Sequence, residues 1–379
     1  MSARPVIGVV GLGTMGLGIA QVYAQGGFDV LATDAFAGTR NAAKSRLAET
    51  LDARVSTGKL SAAVRDETLS RLKIVNGPND FGAAQLVIEA IVEKIEAKRE
   101  LLATLESVVE PDAILATNTS SLAVAAMADG LAHSSRLVGL HFFNPAPVMK
   151  LVELVTHPGT TAAPLAAARR ITEAAGKTVI ICADRPGFIV NRCARPFYGE
   201  ALAMLEEGRS ASDIDSAMLA AGYRIGPLSL IDLIGADVHL AATTGVYEGM
   251  ARGPRYHVFD ALRAQVAKGE LGRKSGKGFI HPATPGVPPV DAAAIALRIE
   301  ATLANEAASL LDEGSVEAAA IDTAMKLGMN FPRGPFESAK THGLERIRQT
   351  LAGLEAKAPA HLKGRYSASL ALAEIDTAL

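Results

Sequence analysis

The stretch Val6-Ile7-Gly8-Val9-Val10-Gly11-Leu12-Gly13-Thr14-Met15-Gly16 decides how the first half of this 379-residue chain folds. An unbroken apolar run ends in a glycine turn, and the turn opens a helical segment reaching Gln25. That order reads as strand, phosphate-binding turn, helix. Gly11 permits the tight turn, Gly13 lets backbone approach a pyrophosphate, and Gly16 lets helix pack on strand. Thr14 and Met15 then lie at the helix N-terminus, where backbone N–H groups face phosphate. A bare G-x-G-x-x-G is weak, but a second apolar run, Val30-Leu31-Ala32-Thr33, ends in Asp34 about twenty residues further on. A carboxylate there accepts from a ribose 2′-hydroxyl and repels a 2′-phosphate, which favours NAD over NADP. Arg40 falls inside the next helix. FAD shares the motif and is the competing ligand at this point.

Short apolar runs then alternate with amphipathic stretches, the βαβ pattern of an open parallel sheet. Strands are expected at Val6–Val10, Val30–Thr33, Leu86–Ala90, Ile114–Ala116, Leu137–Leu140, Leu151–Val155 and Thr178–Ile181, with helices such as Glu93–Val109 and Ala162–Ala175 between them. At Arg185-Pro186-Gly187 the strand signals largely stop, and the rest reads as helices broken by Gly-Pro turns. The expected fold is a Rossmann-like α/β domain over residues 1–185 followed by all-α domains. A helical domain over 186–285 and a second copy of it over 290–379 meet at the linker Gly286-Val287-Pro288-Pro289.

The second copy rests on an internal repeat. Glu207-Gly208, Ile214-Asp215, Ala217-Met218, Gly222 and Gly226-Pro227 recur as Glu313-Gly314, Ile321-Asp322, Ala324-Met325, Gly328 and Gly334-Pro335. Upstream, Asn305-Glu306-Ala307 answers Tyr198-Gly199-Glu200-Ala201.

Composition narrows the function classes. The length exceeds what one hydrophobic core usually supports. Aromatic residues are only 4% of the chain and Trp is absent, which suits helices on a parallel sheet better than a barrel. A net charge of -2 gives no general attraction to nucleic acid or anionic membrane. Cys182 and Cys193 make neither a disulfide framework nor a zinc set, so no metal is expected. Met1-Ser2-Ala3-Arg4-Pro5 carries no apolar targeting region, and no run reaches spanning length, so the chain reads as cytoplasmic.

Ligands of doubly wound sheets bind outside the carboxyl ends of the strands. Several expected strands finish there in groups capable of chemistry: Glu93 after Leu86–Ala90, Asn118-Thr119-Ser120 after Ile114–Ala116, and His141 after Leu137–Leu140. Ser120 or Ser121 also suits a plain helix cap. A histidine beside Phe142-Phe143 is commonly a satisfied core residue. Here, however, Glu153 interrupts the apolar run Leu151-Val152-Glu153-Leu154-Val155. A carboxylate on such a strand is costly to bury without a partner, and His141 is the available one. Pairing would fix the imidazole tautomer and stabilise imidazolium, as in a Ser-His-Asp site without the serine. Such a dyad suits alcohol oxidation with hydride transfer to a nicotinamide, and so NAD rather than FAD.

The ordered motifs resemble the L-3-hydroxyacyl-CoA dehydrogenase family, including 3-hydroxybutyryl-CoA dehydrogenases. They are Gly11–Gly16 with Gly18-Ile19-Ala20, Glu89-Ala90-Ile91-Val92-Glu93, Asn118-Thr119-Ser120-Ser121-Leu122, and Gly139-Leu140-His141-Phe142-Phe143-Asn144-Pro145. Met149-Lys150-Leu151-Val152-Glu153, Asp184–Arg192 and Gly272–Phe279 complete the set. The resemblance implies oxidation of the 3-hydroxyl of an acyl-coenzyme A, as in fatty acid metabolism. His141 would be the acid/base, oriented by Glu153, with Ser120 and Asn191 bonding the reacting oxygen. Asp34, Glu93, Lys98 and Asn144 fall on NAD-contacting positions, Asn118 joins them at the strand ends, and Lys59 resembles the coenzyme A-phosphate lysine. Tyr223-Arg224-Ile225 and Cys193 depart from the family pattern at positions expected near the acyl tail. The basic loop Arg273–Gly278 fails the Walker pattern and reads as a structural turn. In the family the helical domain pairs between subunits, so two copies in one chain imply a monomer with an internal pseudo-dimer, or a homodimer through another surface. An NAD dehydrogenase of a non-CoA hydroxy acid such as L-gulonate, and a non-catalytic NAD-binding relative, are the competing readings.

Overall fold

Strands covered by helices on both faces must be apolar throughout, and the runs of the first half meet that demand. In the computed structural model, which describes residues 4–374, they form eight strands: β1 (Ile7–Val10), β2 (Val30–Thr33), β3 (Leu72–Ile74), β4 (Leu86–Glu89), β5 (Ile114–Thr117), β6 (Leu137–Phe142), β7 (Leu151–Thr156) and β8 (Thr178–Ala183). Met1-Ser2-Ala3 lie outside the described residues. The sheet order is β3-β2-β1-β4-β5-β6-β7-β8, parallel except where β7 runs against β6. Helices α1 (Thr14–Gln25), α2 (Ala37–Ser56), α3 (Ala62–Arg71), α4 (Ile95–Val108), α5 (Val124–Ala128) and α6 (Ala162–Ala174) complete this unit, which reaches Arg185. The strand order reverses at β1, between β2 and β4, and there the helix-bearing glycine turn stands at the carboxyl edge.

Three strands depart from the sequence expectation, β8 by running two residues past Ile181 to Ala183 along its pairing with β7. Leu72–Ile74 gives no periodic signal in three residues, yet it pairs with β2 at the sheet edge. Strand β6 runs two residues past Leu140, because Phe142 pairs with Val152 and His141 with Glu153. Pairing with β7 therefore places His141 inside a strand, not after one.

From Pro186 on, the chain forms a second unit of helices: α7 (Val190–Cys193), α8 (Arg195–Glu206), α9 (Ala211–Ala220), α10 (Pro227–Ile234), α11 (Ala236–Gly249), α12 (Asp260–Ala267), α13 (Ala292–Asp312), α14 (Ala318–Met329), α15 (Pro335–His342), α16 (Leu344–Lys357) and α17 (Ala371–Glu374). The repeated sequence produces repeated geometry. Asp215 of α9 accepts from Leu228 and Ser229 N–H at the start of α10, and Asp322 of α14 does the same for Phe336 and Glu337 of α15. Pro227 and Pro335 occupy the first turns of those helices. Gly235 and Gly343, both at positive φ, then begin α11 and α16.

Ion pairs within this unit also recur, with the partners exchanged. Glu200 of α8, fully buried, meets Arg298 at 2.9 Å, Arg365 at 2.8 Å and the Tyr366 hydroxyl at 3.2 Å. Glu306 of α13, equally buried, meets Arg192 at 2.7 Å, Arg255 at 3.3 Å and the Tyr256 hydroxyl at 2.7 Å. Each half supplies the carboxylate that the other half's two arginines and tyrosine hold. Isologous interfaces have that reciprocal form. Among the described residues no helix is long and apolar enough to cross a membrane.

Candidate active site

The glycine turn is built as its sequence requires. Gly11 has φ +97°, and a Cβ there would stand 2.4 Å from the Ala90 carbonyl oxygen. A Cβ on Gly16 would stand 1.7 Å from the Gly11 oxygen, so helix α1 leaves the turn too closely for any side chain. Gly13 is different: a Cβ there meets nothing within 4 Å. Space over an exposed backbone at a helix N-terminus is what a pyrophosphate needs. Asp34 ends β2 with its carboxylate accepting from Leu12 N–H at 2.8 Å and Phe36 N–H at 2.9 Å. Arg40 donates to the Asp34 and Ala35 carbonyl oxygens and leaves the carboxylate alone. The donor and acceptor set fits an adenine dinucleotide with an unphosphorylated ribose.

Next to the turn lies a cavity of about 270 Å³ between α1, α2 and the Asn144–Val148 loop. Thr14, Gln21 and Asn144 line it together with Arg46 and Arg54. Arg46, Thr50 and Arg54 recur every four residues along α2 and so share one face. Arg46 also donates to the Leu12 carbonyl at 3.0 Å, on the glycine turn itself. Lys59, exposed beyond the end of α2, is not among the residues lining this cavity. Sequence reading missed the two arginines, although their spacing on a helix was the available signal. Lys177 holds the loop from the other side, donating to the Ala146 carbonyl at 2.6 Å and that of Met149 at 2.7 Å. Burial lowers its pKa to about 8.

Along the carboxyl edge, β4 and β5 end in a buried network. Glu89 accepts from Lys98 at 2.6 Å, Thr117 at 2.7 Å and Ile91 N–H at 2.7 Å. Lys98 is 1% exposed and lies 3.1 Å from Glu93 as well, so its ammonium is enclosed between two carboxylates. Glu93 in turn accepts from the Thr119 hydroxyl at 2.5 Å, Ser120 N–H at 3.2 Å and the Ser121 hydroxyl at 2.9 Å. Burial raises the Glu93 pKa, but the Thr119 bond and the Lys98 charge outweigh it and hold the carboxyl below its ordinary value. Asn118 accepts from Phe142 N–H at 2.8 Å and so ties the end of β5 to β6. Glu89, the hub of this network, stood in a recognised motif and interrupts the apolar run Leu86–Ala90 as Glu153 interrupts its own, a signal the sequence reading did not use.

His141 and Glu153 meet. They face each other directly in the antiparallel register of β6 and β7, and His141 Nδ1 lies 2.6 Å from Glu153 Oε2. Glu153 is fully buried and His141 is 6% exposed, so the pair is shielded from water. The Phe143 ring packs on the imidazole with centroids 4.6 Å apart. Binding Nδ1 leaves Nε2 as the nitrogen turned away from the carboxylate. A buried carboxylate in this position holds one tautomer and stabilises the protonated ring.

Comparison with known proteins decides the family. The family model described as "3-hydroxyacyl-CoA dehydrogenase, NAD binding domain" matches residues 6–185, and that for the C-terminal domain of the same enzymes matches 187–281 and 295–375. The chain belongs to the 3-hydroxyacyl-CoA dehydrogenase family. Family membership makes it an NAD-dependent oxidoreductase whose first unit binds NAD. A 3-hydroxyadipyl-CoA dehydrogenase of Escherichia coli is 43% identical over 274 residues, 72% of this chain. This dehydrogenase spans only 58% of that relative's length. The crystal structure of a 3-hydroxybutyryl-CoA dehydrogenase from Escherichia coli is 32% identical, with a TM-score of 0.91 over 98% of both chains. That of an (S)-3-hydroxybutyryl-CoA dehydrogenase from Ralstonia eutropha is 37% identical, covering 73% of this chain and 98% of its own, with a TM-score of 0.71.

In the second unit, Asn191 lies on α7, within the Asp184–Arg192 motif. Two residues of the family departures are buried. Cys193 is fully buried, and Tyr223 packs on Phe197 while its hydroxyl bonds Glu300 at 3.1 Å. The Arg273–Gly278 loop is folded onto Asp232, whose carboxylate accepts from Phe279, Ile280 and His281 N–H. It is a structural turn.

Proposed function

We propose that this dehydrogenase interconverts an (S)-3-hydroxyacyl-coenzyme A and its 3-oxo thioester. The buried His141–Glu153 pair, 2.6 Å apart at the carboxyl edge of an NAD-binding sheet, carries the reading. In oxidation His141 Nε2 takes the 3-hydroxyl proton, and Glu153 stabilises the imidazolium that results; in reduction the same nitrogen returns the proton. Ser120 donates to the reacting oxygen as it gains alkoxide character, and the family resemblance gives Asn191 the same role. Bound NAD supplies the acceptor for the hydride leaving C3. Gly11, Gly13, Thr14, Met15 and Gly16 cradle its phosphates, Asp34 takes the ribose, and Asn118 and Asn144 stand beside it. Glu93 orders the Ser120 loop, and Lys98 acts through Glu93. Arg46 and Arg54 provide the positive charge for anionic parts of the nucleotide ligands, with exposed Lys59 as a peripheral contact. The (S) configuration follows the Ralstonia eutropha relative, which bears it in its name.

The test is a steady-state series of 3-oxoacyl-CoA substrates graded in length and tail charge, followed by NADH consumption. Turnover of acetoacetyl-CoA supports the reading. Turnover of free hydroxy acids such as L-gulonate, without any of the thioesters, overturns it.

Two further proposals follow. The exchanged Glu200 and Glu306 ion cages support an internal pseudo-dimer built from a duplicated helical module, so the chain is expected to be a monomer in solution. Light scattering that finds a dimer built through residues 190–280 of both chains defeats this. The reading also carries a cytoplasmic location, which two buried, unbridged cysteines suit.

A further inference from the structure

Arg195 is more than nine-tenths buried, and among the described residues no carboxylate lies within ion-pair distance of it. Each neighbouring arginine in the same unit has a carboxylate: Arg192, Arg255, Arg298 and Arg365 pair with Glu200, Glu207, Glu306 and Glu313. Arg195 is the positive charge left over. Its guanidinium donates to the Asn191 carbonyl at 2.7 Å and to the Thr243 hydroxyl at 3.0 Å, and lies over the Tyr198 ring. Neutral acceptors do not compensate a buried cation, which is costly unless an anion meets it. His239, 3.4 Å from the same hydroxyl, adds no negative charge, since burial and then Arg195 itself keep it neutral.

The duplicate half shows that the fold does not need this cation. Aligned through the Glu200/Glu306 and Gly235/Gly343 equivalences, Arg195, Tyr198, His239 and Thr243 correspond to Ala301, Ala304, Ile347 and Leu351. All four of those are buried and apolar. One half packs the position with hydrocarbon; the other spends a guanidinium there and leaves a cavity of about 10 Å³ bounded by Arg195, His239, Thr243, Arg255 and Arg365. That is room for one water-sized group, such as a halide or one oxygen of a carboxylate.

We propose that Arg195, Thr243 and His239 form a receptor for a small monoanion. Two sources share that chemistry, a free halide and the terminal carboxylate of the acyl chain, and the second rests on the reaction proposed above. Arg195 is bonded to the backbone of Asn191, the residue assigned to the oxygen on C3. In a six-carbon diacid the carboxyl carbon is three bonds of about 1.5 Å each beyond C3. The substrate class would then be ω-carboxyacyl-coenzyme A.

Two measurements on the full chain decide it. The first is the ratio of kcat/KM for 3-oxoadipyl-CoA to that for 3-oxohexanoyl-CoA, in the wild type and in Arg195→Met. The second is the thermal midpoint as sodium chloride replaces sodium gluconate at constant ionic strength. A ratio that falls at least about tenfold in the variant identifies the substrate carboxylate, since a charged hydrogen bond is worth that much. An unaltered ratio, with a chloride-dependent midpoint that the variant loses, identifies a free anion and still supports the receptor. If neither readout responds to the substitution, the receptor does not exist. Thr243→Val, which removes only a hydroxyl, carries both readouts should Arg195→Met fail to fold. A wild type inactive on both thioesters refutes the proposed reaction, and the chloride arm still judges the receptor alone.

Discussion

Replacing Glu153 by glutamine preserves the shape of the pair and removes its charge. In the native protein the 2.6 Å contact is fully buried, so it is a charge-assisted hydrogen bond with little solvent screening whenever His141 is protonated. Such bonds contribute about 1.5–3 kcal/mol against about 0.5–1.5 for neutral ones, so the charge alone accounts for roughly 1–2 kcal/mol, or about 5–30-fold in rate. Orientation adds to this. A glutamine amide N–H can donate to Nδ1, which places the ring proton on Nε2 and disables the base. The two effects together reach about 10²–10⁴-fold, the range for losing a positioned acid/base. The assay is single-turnover and steady-state reduction of acetoacetyl-CoA with NADH. The expected result is a kcat down by at least about 10²-fold with NADH affinity within about threefold, the pattern of an interaction realised in the transition state. Glu153→Gln turning over at more than about a third of the native rate would refute the reasoning.

Other substitutions probe other parts. Gly13→Ala meets no protein atom, so its thermal midpoint should match the native one while NAD affinity falls at least about tenfold, measured by calorimetry. Equal affinity would mean that no phosphate lies over Gly13. Glu306→Gln should cost about 3–5 kcal/mol in urea denaturation, because it takes the carboxylate from buried Arg192 and half-buried Arg255, and Glu200→Gln should cost a similar amount because it does the same to buried Arg365 and half-buried Arg298. Asymmetric losses would argue against the exchanged-cage account. Lys177 has a folded pKa of about 8, below its unfolded value of about 10.4, so the folded state binds fewer protons between those values. Its contribution to stability therefore rises as pH increases through that window. The midpoint of the native protein minus that of Lys177→Met should climb from pH 8 to pH 10, and a falling difference contradicts the burial of that ammonium.

The parts legible in the sequence share one property: local pattern and buried chemistry coincide there. Apolar runs located seven of the eight strands, and a carboxylate interrupting Leu151–Val155 pointed to His141 because few partners can hold one on such a strand. Register turned that into contact, since an antiparallel pair sets the two residues directly opposite. What stayed hidden depends on distant partners. Glu200 and Glu306 look like any helical glutamate, and only folding brings arginines 165 and 114 residues away onto them. Leu72–Ile74 is too short for periodicity to register. Lys98 read as a ligand contact, whereas folding encloses its ammonium between Glu89 and Glu93.

The account turns on one imidazole. Acetoacetyl-CoA reduction by His141→Ala, measured at saturating NADH beside the native enzyme, tests it most directly. A rate lower by at least about 10²-fold, with the cofactor still bound, is the predicted outcome. A rate near that of the native protein would mean that the proton comes from elsewhere, and that this pair only holds β6 against β7.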